Sequence, residues 1–447
     1  MAEGRKGLRG TLPGPLGANP IPKPEHLDGG LARFLDTWGG LAICAVFYLH
    51  SRLASYATGT GRRLPPMRAT TPPNASVAPI AKPKRILTIK TYGLGNVAIL
   101  MPVLARMRRA YPDAIIDMLT LEGNCDLVER TGLIDETISL RLGGIGRALV
   151  SIVGILRKTR RRHYDLVVDF EQFIKLSTVI AYWSGAPERI GFNTDGQRRG
   201  WLYTKRVVYT DSQHMSGIFS RLLQPLDLDP SPAPFDVATR PEEERAVERF
   251  LQDSFGEAER EGPLVAVHVG SGPNFYDVPL KRWPVESFAS LADSLIDRYG
   301  ARIVFTGKGD EEDGLIEKTL EQMRSPENAT SACDRLSVGE LLAFLRRADL
   351  AVSNDTSVMH LSAVVGTPVV AFFGPTNPLQ YGPLDAGKHL VFYDDLYCSP
   401  CITNYNLKVS YCSDPVCIRG ITVERVLAGI ERDFLGEEAR VRALVEG

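Results

Sequence analysis

The chain has 447 residues, 44% of them hydrophobic and 23% charged, a globular composition with length for two or three domains. Its 52 Lys and Arg nearly cancel its 53 Asp and Glu, so no overall field draws it to nucleic acid. Seven cysteines, an odd number and mostly solitary, argue against a disulfide framework and for a reducing compartment.

Residues 1–30 are rich in Gly, Pro and Lys and are expected to be disordered. The run "LARFLDTWGGLAICAVFYLHSRLASY" follows, with no charged residue between Asp36 and Arg52. It is shorter than the ~18–20 apolar residues that a membrane-crossing helix needs. It also lacks the terminal placement and small-residue end of a cleaved signal peptide. Two readings stand. Residues 31–57 form either a helix packed on the globular part or an anchor in a membrane interface, flanked by Arg33, Arg52, Arg62 and Arg63. A Pro-rich linker over 58–83, with "LPPM", "TPPN" and "AKPK", separates this segment from the rest and favours the anchor.

From Lys84 the pattern changes. "RILTIK" reads as a buried strand and "NVAILMPVLARMRRAYP" as a helix stopped by Tyr-Pro. "AIIDMLTL" and "YDLVVDF" are strands again. After the Pro- and Asp-rich stretch "LDLDPSPAPFDVATRPEEE" the alternation restarts. "LVAVHVG" is a strand, "PVESFASLADSLIDRYG" a helix ending in Gly, "ARIVFTG" a strand and "SVGELLAFLRRA" a helix. "DLAVSND", "TSVMHLSAVVG" and "TPVVAFFG" complete the series as strand, helix and strand. The fold class is therefore α/β, with two Rossmann-like, doubly wound parallel-sheet domains over 84–235 and 262–430, and a terminal helix over 431–447. Ligands of such sheets bind in the cleft at the carboxyl ends of the strands.

Three strand ends carry the chemistry. In "SNDTSVMHLSAVVG" a strand ends at Asn354, and Asp355 or Thr356 is placed to cap the helix that follows. The free N–H groups of Thr356, Ser357 and Val358, backed by the helix dipole, form an anion site that needs no lysine, with His360 one turn in. In "HVGSGPNFYDVPLKRWP" a glycine turn brings Ser271 close to a ligand, and Lys281 follows on a loop within reach of phosphate. In "TGKGDEEDG", Asp310 or Glu311 is placed for ribose hydroxyls. A fourth turn, "KTYGLGNVA", spells G-x-G-x-x-A with Gly93, Gly95 and Ala98, the form of a dinucleotide fingerprint. No acidic ribose partner closes that unit, which argues against NAD.

Together, "RILTIKTYGLGNVAILMPVLARMRRAYPDAIIDMLT", "YDLVVDFEQF…SGAPERIGF", "KRWP", "SNDTSVMHLSAVVGTPVVAFFGPTNP…YGP" and "CSPC" resemble glycosyltransferase family 9, the bacterial heptosyltransferases of lipopolysaccharide core assembly, over about residues 84–430. The resemblance implies a GT-B fold and an inverting transfer with no metal or other cofactor. It implies a nucleotide-diphosphate sugar donor, typically ADP-heptose, on the C-terminal domain, held by Ser271, Lys281, Asp310, Glu311, Asp355, Thr356, Ser357 and His360. The lipid-linked saccharide acceptor would lie on the N-terminal domain, beside Gly93, Gly95, Lys175 and Arg189. The implied location is the inner face of the cytoplasmic membrane.

Two positions depart from the family pattern. Asn96 stands where the family commonly has the Asp taken as general base, and an amide is no base near neutral pH. Asp169 or Glu171 could serve instead, Asn96 could orient the hydroxyl with late proton loss to water, or the chain could bind donor without turnover. Ser357 replaces the usual Gly, which leaves another nucleotide sugar open as donor. The cluster Cys398, Cys401, Cys412 and Cys417 admits free thiols, structural zinc or disulfides, its second pair being spaced more widely than a zinc knuckle.

Overall fold

A computed structural model of the chain describes residues 82–256, 262–271, 279–384, 389–406 and 410–435. The expectations for residues 1–57, nearly all of the linker and most of the 431–447 helix lie outside the described residues.

The first sheet contains β1 (Arg85–Ile89), β2 (Ile115–Leu121), β3 (Glu136–Leu140), β4 (Leu166–Asp169), β5 (Glu188–Asn193) and β6 (Lys205–Val208). Its spatial order is β3-β2-β1-β4-β5-β6, with every neighbouring pair parallel. The second contains β7 (Leu264–His268), β8 (Arg302–Phe305), β9 (Ala329–Ser331), β10 (Leu350–Asn354), β11 (Val369–Phe373) and β12 (His389–Tyr393). Its order, β12-β11-β10-β7-β8-β9, is the same parallel topology repeated. Helices cover both faces of each sheet, so the central strands are buried on both sides and read as continuous apolar runs. The order reverses between β1 and β4 and again between β7 and β10, and these two switch points open at the strand ends that carry the polar motifs.

Sequence pattern accounts for the long elements. Helix α1 (Leu94–Ala110) has an almost wholly buried apolar face and stops before Tyr111-Pro112. Helix α2 (Ile145–Arg161) links β3 to β4, and α3 (Lys175–Trp183) links β4 to β5. The short α4 (Met215–Ser220) follows β6, and α5 (Pro241–Phe255) fills the joint between the sheets. In the second half, α6 (Val285–Tyr299) ends at Gly300 in the left-handed region, where a side chain would be strained. Helix α7 (Asp310–Gln322) follows β8, and α8 (Val338–Arg347) opens with a Ser337–Glu340 capping box. Helix α9 (Ser357–Val364) follows β10 directly.

The domains meet through α1 and α9. Leu100, Met101 and Val103 share one continuous core with Met359 and Leu361, and with Val247 and Phe250 of α5. A Cβ built on Gly95 would lie 2.6 Å from His360 Cδ2 and 3.3 Å from Ser357 Cα. Only glycine permits this approach. The second glycine of the fingerprint is therefore a packing residue that seats one domain against the other, and it does not face an open acceptor groove as expected. Strands β3, β5, β6, β9 and β12, which periodicity did not single out, complete the edges of both sheets.

Candidate functional site

The C-terminal half of the site is organised by Asn354, the last residue of β10. Its Oδ1 accepts from Trp283 N at 2.9 Å, and its Nδ2 donates to the carbonyls of Val269 and Gly270, each at 2.9 Å. One buried amide thus ties the β7 turn, the Lys281 loop and the β10 turn together. Asp355 follows. Its Oδ2 accepts from Lys281 Nζ at 2.5 Å and from Thr376 Oγ1 at 2.8 Å. Burial would raise the Asp355 carboxyl, but the Lys281 ammonium prevails and holds it below the usual carboxylate range. Thr356 occupies the N-cap of α9, yet its hydroxyl pairs with Ser353 Oγ at 3.0 Å and no side chain caps the helix. The first-turn N–H groups of α9 are left to whatever enters the junction. Ser271 is buried, and its Oγ accepts from Arg282 Nε at 2.9 Å.

His360 sits inside this group, 5% exposed. Its Nδ1 is buried and has no hydrogen-bond partner among the described residues. Burial pushes its pKa down from 6.5 to about 4 against the pull of Asp355, with His214 and Lys281 adding to the depression. The ring is neutral at pH 7. His214 reaches over from the other domain: its Nδ1 accepts from Ser216 N at 3.3 Å, which leaves the proton on Nε2 to donate to Gly382 O at 2.9 Å. Beside it, Tyr209 Oη accepts from Gln380 Nε2 at 3.0 Å and Asn404 Nδ2 at 2.8 Å. None of these four cross-domain residues carries a motif. Only Gln380 had a signal, lying between the "FGPTNP" and "YGP" turns.

On the N-terminal side Asn96 lies in the first turn of α1, half-buried, with its Nδ2 where it would meet a Cβ on Gly93 at 2.8 Å. Gly93 itself is exposed at φ 80°, a conformation that suits glycine. The Asn96 amide makes no hydrogen bond with a described residue. It is next to Gly95, and therefore at the seam against Ser357 and His360. Ser357, half-buried, opens α9 at that seam.

The two expected bases do not face the cleft. Asp169 is wholly buried: Oδ2 accepts from Arg199 Nη2 at 2.9 Å and Tyr203 Oη at 2.5 Å, and Oδ1 from Glu171 N at 3.0 Å. Burial pushes it up, opposed by Arg199. Glu171 accepts from Lys90 Nζ at 3.0 Å, Thr91 N at 2.6 Å, Thr91 Oγ1 at 2.7 Å and Tyr92 N at 3.1 Å. Burial works against its charge, but Lys90 and Thr91 outweigh it and hold the carboxyl low. Each carboxylate accepts three or more hydrogen bonds from donors of its own domain and is buried. Glu171 thereby shapes the turn that leads to Gly93 and Asn96.

Other expected positions are also corrected. Arg189 lies near the start of β5, the wrong end of a parallel strand for a ligand, and its guanidinium donates to Leu202 O and Ala186 O. Lys175 is buried and donates to Gln197 Oε1 at 3.1 Å. Asp310 is exposed at the start of α7, and Glu311, also exposed, receives Arg282 Nη2 at 2.6 Å. The acid that turns inward is Glu312. It is buried, its Oε1 would lie 2.1 Å from a Cβ on Gly270, and it faces His268 Nε2 at 3.6 Å. The run of four acids from Asp310 to Asp313 hid it, because only helical phase selects the residue that points in. Cys398, Cys401, Cys412 and Cys417 are free thiols, and among the described residues no three His, Cys, Asp or Glu side chains form a group able to hold a metal.

Two parallel six-stranded Rossmann-like sheets, meeting at their switch points around an uncapped helix and an Asp–Lys pair, define a GT-B architecture. The sequence profile of glycosyltransferase family 9 (heptosyltransferase) matches residues 152–411, and the chain belongs to that family, as a heptosyltransferase-like glycosyltransferase. Lipopolysaccharide heptosyltransferase 2 of Escherichia coli K12 is 24% identical over 313 residues, covering 67% of this chain and 85% of the relative. Lipopolysaccharide heptosyltransferase 1 of Pseudomonas aeruginosa is 24% identical over 381 residues, covering 79% and 99%. The crystal structure of a family 9 glycosyltransferase from Veillonella parvula superposes with a TM-score of 0.67 at 25% identity, covering 81% of this chain and 99% of that one. The structure of E. coli ADP-heptose heptosyltransferase II superposes at 0.61 and 20% identity, covering 79% and 100%, a likeness of fold.

Proposed function

We propose that the C-terminal domain holds a nucleoside-diphosphate sugar and the N-terminal domain a lipid-linked saccharide, and that the sugar passes between them with inversion and without a metal. Heptose from ADP-heptose to a lipopolysaccharide-core acceptor is the first pair to test, since relatives carry those names. The observation that carries the reading is the junction of the uncapped α9 with Lys281, Asp355 and Ser271, opposite Asn96. As the bond to the anomeric carbon breaks, negative charge grows on the departing diphosphate. Lys281 and the α9 N–H groups stand where that charge is stabilised. Neutral His360, with its free Nδ1, accepts a hydrogen bond from a sugar hydroxyl. Asn96 accepts from the incoming hydroxyl through its Oδ1 and aims it, while the proton leaves late to water.

A second reading, donor binding without turnover, draws on the absence of an available carboxylate at Asn96, Asp169 and Glu171. One experiment separates them. Thermal shift against ADP-, UDP- and GDP-sugars identifies the donor, since a ligand at a hundred times its Kd stabilises by about 2.7 kcal/mol. Transfer of the labelled sugar to a lipid-A-core acceptor then gives product under the first reading and none under the second. We further propose that the enzyme works at the inner face of the cytoplasmic membrane. Among the described residues no helix is long and apolar enough to cross a membrane.

A further inference from the structure

Helix α2 has an apolar face wider than its place on the sheet requires. Its inner face packs Ile155, with Ile152 and Leu156, onto the apolar side of the first sheet. The flank of that face, turning outward, carries Leu149, Val150 and Val153, which are 57%, 75% and 42% exposed. One and two turns further along the same stripe stand Arg157 and Arg160, also exposed. The outer face of a helix on a soluble domain is ordinarily polar. Here it is an apolar ridge running into arginines, and exposed Leu142 precedes it.

The charges of this helix are compensated at its far end, where Arg161 shares a hollow with Asp135, Glu136 and Asp165, and less so along the ridge. Lys158 and Arg162 are absorbed by Glu136 and Asp117 on the sheet side. An apolar ridge bordered by exposed arginines without ion-pair partners among the described residues, Arg147 and Arg157 with Arg160 lying over Gly185, is complementary to an anionic bilayer surface, where the apolar side chains enter the acyl boundary and the arginines meet lipid phosphates. Two topological facts agree. Because α2 follows the carboxyl end of β3, the part of it that bears Leu149 and Val150 is the end nearest the cleft. Its other end, at Arg161 and Arg162, shares an open hollow with Lys84, near the first described residue, Lys82.

We propose that the outer face of α2, Leu149, Val150 and Val153 with Arg157 and Arg160, is a docking surface for an anionic phospholipid bilayer that brings the cleft to a membrane-held acceptor. The acceptor clause rests on the function proposed above; the docking does not. The test uses the full chain with vesicles of phosphatidylcholine alone or with phosphatidylglycerol. Wild type should sediment at least tenfold more with the anionic vesicles. Leu149→Asp, Val150→Asp and Val153→Asp combined should lose that binding tenfold or more with an unchanged Tm, and Arg157→Gln with Arg160→Gln should lose the anionic preference. Sugar transfer to a lipid-free, water-soluble acceptor should be the same in these variants as in wild type.

A local probe guards against an anchor elsewhere hiding the effect. The difference emission of Val150→Trp against wild type should shift blue, and be quenched by doxyl lipid, only when anionic vesicles are added. No shift overturns the proposal. A Trp already shifted before lipid is added also overturns it, because residues 31–57 or a second copy would then cover the ridge. Loss of transfer to the soluble acceptor overturns it as well, since α2 would then belong to the catalytic machinery. Vesicle binding needs no turnover, so a chain that docks but transfers nothing refutes the proposed function alone.

Discussion

The ends of β4 and β10 occupy equivalent places in two copies of one sheet topology, and acidic residues stand at or just past both. After β4, Asp169 and Glu171 are fully enclosed by donors from Arg199, Tyr203, Lys90 and Thr91. After β10, Asp355 has its lysine, but α9 has no cap and His360 keeps a bare Nδ1. Satisfied polar groups build shape; groups left unsatisfied at a strand end are what a ligand can complete. By this contrast the first switch point is a scaffold and the second a receptor.

The contrast breaks most visibly on stability. Asp169→Asn leaves Arg199 charged and buried without its anion, and such a loss costs about 3–5 kcal/mol, read as a fall in the urea midpoint. Donor binding by whatever remains folded should be unchanged, because Asp169 touches nothing in the junction. Lys281→Ala should do the reverse. It should weaken nucleoside-diphosphate affinity by about 2–3 kcal/mol, the scale of a lost charge-assisted contact, while nucleoside binding by calorimetry changes little.

Gly95→Ala comes next. The added methyl meets the His360 ring at 2.6 Å, and overpacking at such a seam costs about 1–3 kcal/mol. Thermal unfolding of the variant reads this directly. A smaller effect follows pH. His360 has a pKa lowered from 6.5 to about 4 in the fold, so the unfolded chain takes up its proton first as pH falls. The stability it contributes is fully present above pH 6.5 and drains away as pH drops toward 4. Between pH 7 and pH 5 the loss should be about 2 kcal/mol, and His360→Gln should lack that component.

The long elements were legible because their apolar spacing is sustained: α1 and β2 lie where their periods put them. Strand β9 spans three residues and β6 four, two of them cationic, so neither offers enough pattern to read. Lys281, Asp355 and His360 could be nominated from strand ends and helix starts, and the fold brings them together. What the residues could not disclose was partnership. Asp169 and Glu171 looked like cleft carboxylates because Arg199, thirty positions downstream of Asp169 on a short 3-10 turn, gives no sign that it folds back. The role of Gly95 was hidden likewise, since its neighbour His360 belongs to the other domain.

The central claim is that a receptor for the donor sits at β10 and that Asn96 aims the acceptor without a carboxylate base. Single-turnover transfer from ADP-heptose to a lipid-A-core acceptor, by wild type and by Asn96→Asp, tests it most directly. Transfer by wild type is the predicted result, with Asn96→Asp equal or faster, because a carboxylate with a pKa near ~3.9 is ionised at neutral pH and takes the proton. A wild-type chain that binds ADP-heptose yet forms no product, and an Asn96→Asp variant that gains none, would contradict it.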